Sequence, residues 1–313
     1  MSVIQVQAPG LLTTVQDLGR EGFGPIGVSP SGAADLISLR LGNRLVGNVE
    51  GAAGLEMTLL GGTFLFPQAA ILALTGSDFG ATVDGTPVAL GASFEVLPGQ
   101  TLRLGSTRSG ARSYLCVQGG IVVPSFLGSA STDILSGLGG FDGRPLREGD
   151  LLHIGPAGKL FRKRTIGPRL SEHLSSRKIL RVTPGPQAHW FSESSLRLFY
   201  EATYRVGEQS NRMGLRLEGA LVSPSGSRQM ITEGVSLGAV QVPAAGSPII
   251  LFVDQQTTGG YPKIANVISA DLHRVGQLRP RDEIRFEQVT FEAARSLFIE
   301  QEQLLASRES ILE

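Results

Sequence analysis

Glycine and proline interrupt this chain so often that its apolar residues fall into short β-type runs, with no room for long helices. The 41 glycines and 17 prolines follow no Gly-X-Y period, so they read as turns between strands. After a weakly alternating opening strand at 2–12, runs at 55–60, 63–66, 70–75, 81–83, 93–97, 101–104 and 113–117 are parted by Gly61-Gly62, Asp84-Gly85 and Pro98-Gly99. That is hairpin punctuation, and it predicts a mainly β fold with closed or nearly closed antiparallel barrels. Two stretches depart from it. From 32 to 46 the apolar residues Ala33, Leu36, Ile37, Leu39, Leu41, Leu45 and Val46 recur at helical spacing until Gly47-Asn48. Asp35 and Asn43 lie two turns apart on that helix, placed to face solvent or a cleft. The tail from 292 to 312 also has helical spacing.

Composition excludes several classes of function. With 28 basic and 28 acidic residues the formal charge is zero, so no basic field draws the chain to nucleic acid or to an anionic membrane. No apolar run approaches the roughly 18 residues of a membrane span, and the N-terminus has no signal-peptide pattern, so a cytoplasmic location is expected. Cys116, the single cysteine, sits in an alternating run and is expected in the core. His153, His173, His189 and His273 show no metal-ligand spacing. The glycine- and serine-rich segment 119–143 is too long for a turn and is a candidate cover for a pocket. It contains no P-loop pattern, although the amides of Gly128, Ser129 and Ser131 are a candidate anion nest. The G-x-S-x-G at 234–238 is not a nucleophile elbow, because Pro243 bars the helix that must follow Ser236.

The polar residues most suited to chemistry gather between 210 and 286. The buried strand pattern at 249–253 delivers a loop that carries Asp254, Gln256, Thr257, Thr258, Gly259, Gly260, Tyr261 and Lys263. Its glycine pair lets backbone approach a ligand closely. Lys263 is one of only four lysines among the 28 basic residues, an unusual choice in a chain that otherwise uses arginine. Glu233, Gln241, Asp254 and Lys263 are expected to face one cleft. There the lysine either polarises a carbonyl, with the amides of Gly259 and Gly260, or pairs with Asp254 and steadies the loop. Arg212 either grips a carboxylate or phosphate or serves a structural salt bridge. Gln16, Asp17 and Arg20 form a further polar cluster, with a local Asp17–Arg20 ion pair as the plainer reading. The basic stretch 156–178 marks a boundary, dividing the chain into lobes at 1–170 and 171–313. A faint internal echo across it, of hairpins around 66–104 and 242–286, agrees with two similar lobes.

Three long, ungapped stretches carry a family likeness: TTVQDLGREGFGPIGVSPSGAADLISLRLGNRLVGN, SNRMGLRLEG and GAVQVPAAGSPIILFVDQQTTGGYPKIANVISADL. From about residue 5 to about 291 the chain resembles the biotin-dependent carboxyltransferase-like family. That family takes in the C subunit of 5-oxoprolinase, KipA-type proteins, allophanate hydrolase subunit 2 and a subdomain of urea carboxylase. The resemblance implies two cyclophilin-like β-barrel lobes with a few short helices. It also implies, in the commonest bacterial setting, one component of an ATP-dependent 5-oxoprolinase that opens 5-oxo-L-proline to L-glutamate. ATP would then be bound with the A and B subunits as partners, one of them KipI-like. Lys263, Arg212 and Asp254 would be catalytic, with Gln241, Gln256, Thr257, Thr258, Gly259, Gly260, Tyr261, Gln16, Asp17 and Arg20 binding substrate. The alternatives within the resemblance are carboxyl transfer from carboxybiotin to urea, requiring a separate biotin carrier, and a KipA-type regulatory partner. The sequence departs from the family pattern at Asn211, where aspartate is common, at Ala34, where methionine is usual, and at Arg281, where glycine completes a turn.

Overall fold

The computed structural model describes residues 2–156, 162–175, 178–226 and 230–313. Two compact units emerge, one comprising Met1–Arg20, Ser31–Ser175 and Ala306–Glu313, the other Glu21–Pro30 and Ser176–Leu305. The sequence-based division at 170 differs from these units at two segments. Residues 21–30 group with the second unit, where Ser29 Oγ donates to Val253 O at 3.0 Å. The tail at 306–313 groups with the first, where Ile311–Leu312 pairs with Thr165–Ile166. The helical spacing of the tail ends at Ala306, because that pairing turns its last residues into a strand. Of the basic stretch, residues 157–161 and 176–177 lie outside the described residues.

The first unit wraps one core with a seven-stranded and a five-stranded sheet. Alternation explains why: in Thr63–Phe66 it is Phe64 and Phe66 that are fully buried, and in Val3–Ala8 it is Ile4 and Val6. These side chains meet Leu55 and Met57 from Gly54–Thr58 and Leu115 and Val117 from Arg112–Val117. Asp84 and Gly85 both adopt left-handed φ (46° and 84°), the geometry of a tight hairpin, and Asp84 Oδ1 accepts from Thr101 N at 3.0 Å.

The expected helix forms over Leu36–Leu45. Asp35 caps it: its carboxylate accepts from Ser38 N at 3.0 Å and from Ser38 Oγ at 2.6 Å. Asn43 Nδ2 donates to Glu50 O and Ala52 O. Both residues are buried, so the expected solvent or cleft exposure is corrected: their polar atoms are used up inside the fold. Glu56 ties down the approach to this helix by accepting from Ala34 N and from Tyr114 Oη, each at 2.7 Å. Burial, then the neighbouring Glu56 charge, pushes the Tyr114 phenol well above its usual range. Cys116 is buried as expected, and burial pushes its thiol up.

Gly42 lies where this helix meets the sheet, and a Cβ there would sit 2.7 Å from Cys116 Sγ and 3.0 Å from Thr75 Oγ1. Gly42→Ala is therefore expected to destabilise the first unit by ~1–3 kcal/mol through overpacking, although alanine is the better helix former by ~1 kcal/mol. Denaturant unfolding checks the sign, and a stabilised variant would show that the interface yields.

The second unit closes a seven-stranded barrel. Its order is Ile179–Pro184, Lys263–Val267, Ala239–Gln241, Ile249–Leu251, Gly214–Glu218, Tyr204–Val206 and Glu283–Gln288. The last strand returns parallel to the first, with Leu180 opposite Phe286, while the other pairings are antiparallel. The mainly β expectation stands. Closure leaves this sheet without edges, so the polar loops between strands are carried on a rigid rim. Of the expected core anchors Trp190-Phe191, Phe191 is buried and Trp190 half-buried, in a single turn at Ala188–Trp190. Arg281, in the place of a family glycine, adopts the left-handed φ of 73° that glycine favours, so the hairpin survives the substitution.

Candidate functional site

The loop after Ile249–Leu251 is built as the sequence suggests, from a buried strand outward. It then forms a two-residue strand, Thr258–Gly259, that pairs with Glu233–Gly234, setting Glu233 opposite Gly259. The chain re-enters the barrel as Lys263–Val267. Against Ala239–Gln241 the register slips from Val240 opposite Ala265 to Gln241 opposite Lys263. This bulge re-aims the strand start and places Gln241, Gly259, Glu233 and Lys263 in one set of cross-strand neighbours.

Lys263 is buried, 3% exposed, and its Nζ pairs with Glu233 Oε1. Gln187 Nε2 donates to the same oxygen at 2.9 Å, and Gln187 Oε1 accepts from Lys263 N at 3.1 Å. The lysine, and after it the Gln187 amide, hold the Glu233 carboxyl below its usual range. Gln241 is buried, and its Oε1 accepts from Gln256 Nε2 at 3.4 Å. Gly259 leaves room for Gln241: a Cβ there would lie 2.5 Å from Gln241 Nε2. Thr257 O accepts from Val235 N at 3.2 Å, while Thr258, Gly260 and Tyr261 are exposed on the loop.

The expected alternative pairing of Lys263 with Asp254 is corrected, because Asp254 belongs to Arg212. Arg212 Nε and Nη2 reach the two Asp254 oxygens at 2.7 and 3.1 Å, with both side chains buried. Asp254 N donates to Arg212 O as well, so backbone and side chain fix the pair together. Beside it, Asn211 Oδ1 accepts from Met213 N at 2.8 Å, a local turn bond.

Gln16, Asp17 and Arg20 belong to the first unit. Gln16 Nε2 donates to Thr14 Oγ1 and Thr132 O, both at 3.0 Å. The Asp17 carboxylate accepts from Ser129 Oγ and Ala130 N, each at 2.6 Å, from Gly19 N at 2.8 Å and from Ser131 Oγ. Of the amides expected to form an anion nest, Ser129 N donates to Phe126 O and Ser131 N to Ser129 Oγ, so these two are used within the segment itself. Arg20 donates to Ser131 O and lies 5.5 Å over the Phe126 ring.

Gln187 is a site residue that the sequence pattern does not single out. Its signal is the Gly185-Pro186 turn that ends Ile179–Pro184, since Gly185 N and Gln187 N donate to Ile264 O and Lys263 O across the barrel. Ser236 is followed by a turn and the strand Ala239–Gln241, in keeping with rejection of a nucleophile elbow. Among the described residues no group of three or more His, Cys, Asp or Glu is arranged to hold a metal, and no helix is long and apolar enough to cross a membrane.

A family model described as carboxyltransferase domain, subdomain A and B, matches residues 26–288. The chain belongs to this family. Within the carboxyltransferase-domain family it is 41% identical to the 5-oxoprolinase C subunit of Escherichia coli over 292 residues, covering 93% of each chain. It is 38% identical to the 5-oxoprolinase C subunit of Haemophilus influenzae, covering 91% of this chain and 90% of that one. The solved urea carboxylase of Kluyveromyces lactis superposes on 99% of this chain with a TM-score of 0.91 at 33% identity, but the match is only 30% of that longer chain. The carboxyltransferase domain therefore occurs both as a protein of this size and as a segment of larger ones.

Proposed function

We propose that this chain is the C subunit of an ATP-dependent 5-oxoprolinase complex, opening 5-oxo-L-proline to L-glutamate. The observation that carries the reading is the 41% identity over 93% of both chains with the 5-oxoprolinase C subunit, a match in extent that the urea-acting relatives lack. In the net reaction the lactam C–N bond breaks, a water oxygen enters the new carboxylate, and the ring nitrogen leaves as the α-amine. A second water is consumed as the terminal phosphoryl group of ATP leaves ADP and ends as phosphate. ATP supplies the drive to open a resonance-stabilised amide.

The residues of this chain do not build an ATP site of their own in the places the sequence offered. The amides of Ser129 and Ser131 donate within their own segment, and Arg212 is paired with Asp254. Nucleotide binding is accordingly assigned to the A and B subunits of the complex. What this chain offers is Lys263, a fixed positive charge to stabilise negative charge on substrate oxygen, beside the amides of Gln187 and Gln241 for orientation. Thr257, Thr258, Gly260 and Tyr261 line the loop above them.

The test is ATP-dependent glutamate release by the three components together and with each omitted in turn. Activity that needs all three supports the reading. A folded, assembled mixture that releases no glutamate rejects it and favours carboxyl transfer from carboxybiotin to urea, to which the likeness to Kluyveromyces lactis urea carboxylase points. That second reading requires a biotin carrier from another chain and is checked by urea-dependent turnover with one.

A further inference from the structure

Among the described residues the buried arginines Arg112, Arg212 and Arg274 each pair with a buried carboxylate, and the Lys263–Glu233 pair is built differently. The side chains of Arg212 and Asp254 are 7% and 4% exposed, and those of Arg112 and Glu56 are 8% and 2%. In the Lys263–Glu233 pair the cation is 4% exposed and the anion 46%. A buried lysine needs a counter-charge, and a partner serving structure alone is best kept as dry as the lysine. Here the partner instead comes from a two-residue strand at the surface and retains solvent beside it.

Two donors, Lys263 Nζ and Gln187 Nε2, converge on a single carboxylate oxygen, Glu233 Oε1. Both are anchored, since Lys263 sits in a barrel strand and Gln187 is held to it by two bonds, Gln187 N to Lys263 O and Lys263 N to Gln187 Oε1. The acceptor alone has freedom to turn into water. A second observation points the same way. Gln241 is 1% exposed, its carbonyl is taken by Gln256, and its Nε2 donor has no acceptor among the described residues. A buried amide hydrogen left unsatisfied is a standing cost that a ligand oxygen relieves. Gln241 is the register partner of Lys263, so the unused donor is carried on the strand beside the one that carries Lys263.

We infer that Lys263 Nζ, Gln187 Nε2 and Gln241 Nε2 form a carboxylate-binding site whose built-in occupant is Glu233, displaced when a small carboxylate ligand binds. The identity of that ligand as 5-oxo-L-proline, bound through its ring-attached carboxylate, rests on the 5-oxoprolinase reading. The carboxylate class does not. The fixed donors select the charge, and Glu233 acts as an internal competitor that keeps the lysine paired between turnovers.

The inference is tested by titrating the full chain, alone and assembled with its partners, with 5-oxo-L-proline, L-glutamate, acetate and the uncharged 2-pyrrolidinone. Glu233→Gln keeps an acceptor oxygen for Lys263 and removes the competing charge. It is expected to lower the Kd of a carboxylate ligand at least tenfold, equivalent to about 1.4 kcal/mol, with no gain for 2-pyrrolidinone. Gln187→Leu is expected to raise the same Kd. Ligand-induced shifts in melting temperature give a second readout, and Glu233→Asp, whose carboxylate is withdrawn by one methylene, is expected to act in the same direction as Glu233→Gln. Binding of every carboxylate that is unchanged or weaker in both Glu233 variants overturns the inference. Tighter binding of glutamate or acetate without any of 5-oxo-L-proline upholds the site and removes 5-oxo-L-proline as its ligand.

Discussion

Lys263→Met is expected to cut ATP-dependent glutamate release by ~10²–10³-fold, the cost of removing one preorganised charge from the substrate site, while the chain stays folded. Retained folding is the discriminating half of the expectation. Methionine preserves much of the length of the buried side chain, and the partner left behind, Glu233, is nearly half exposed and remains solvated. No charge is stranded in the barrel, so the usual penalty for breaking a buried pair does not apply. Lys263→Arg is not expected to rescue activity. The planar guanidinium is bulkier than an ammonium and sends its donors in different directions. Turnover of the assembled complex, with circular dichroism of each variant, checks both halves. Full activity in Lys263→Met would take the lysine out of the chemistry, and an unfolded variant would make its role structural.

The fold is legible in the sequence because hairpin punctuation and alternation are local. The strand Thr63–Phe66 reads residue for residue, and most of its neighbours within a residue or two. Helix Leu36–Leu45 is visible from its apolar spacing, but the roles of its polar residues are not. Whether Asp35 faces water or caps a helix depends on where the first turn begins, and whether Asn43 is buried depends on the loop at 50–52. The candidate site shows the same division. Lys263 and Gln241 stand out from the residues around them, whereas the partner of Lys263 is set by the pairing of Glu233 with Gly259 and by the bulge opposite Gln241. Neither leaves a mark on a single sequence. Gln187 lies 76 residues from Lys263 and reaches it only because Ile179–Pro184 pairs with Lys263–Val267. Asp17 likewise meets Ser129, Ala130 and Ser131 more than a hundred residues away, a contact that no local pattern in the sequence announces.

Asp254→Ala is expected to lower the stability of the second unit by ~3–5 kcal/mol, the opposite balance from Lys263→Met. Removing this carboxylate leaves the Arg212 guanidinium, only 7% exposed, without its bidentate partner. The carboxylate accepts two charge-assisted bonds from one planar fork, so both are lost at once. Replacing the two together, as Arg212→Met with Asp254→Leu, removes both charges and is expected to recover most of the loss. Because the chain has two compact units, a single global transition is not the right observable. Trp190, the single tryptophan, lies in the second unit, and its fluorescence in a denaturant series follows that unit. A double variant that is stable yet inactive would show that the pair touches the chemistry as well as the fold. One that is stable and active would confine Arg212 and Asp254 to holding the loop that presents Gln256, Gly259 and Lys263.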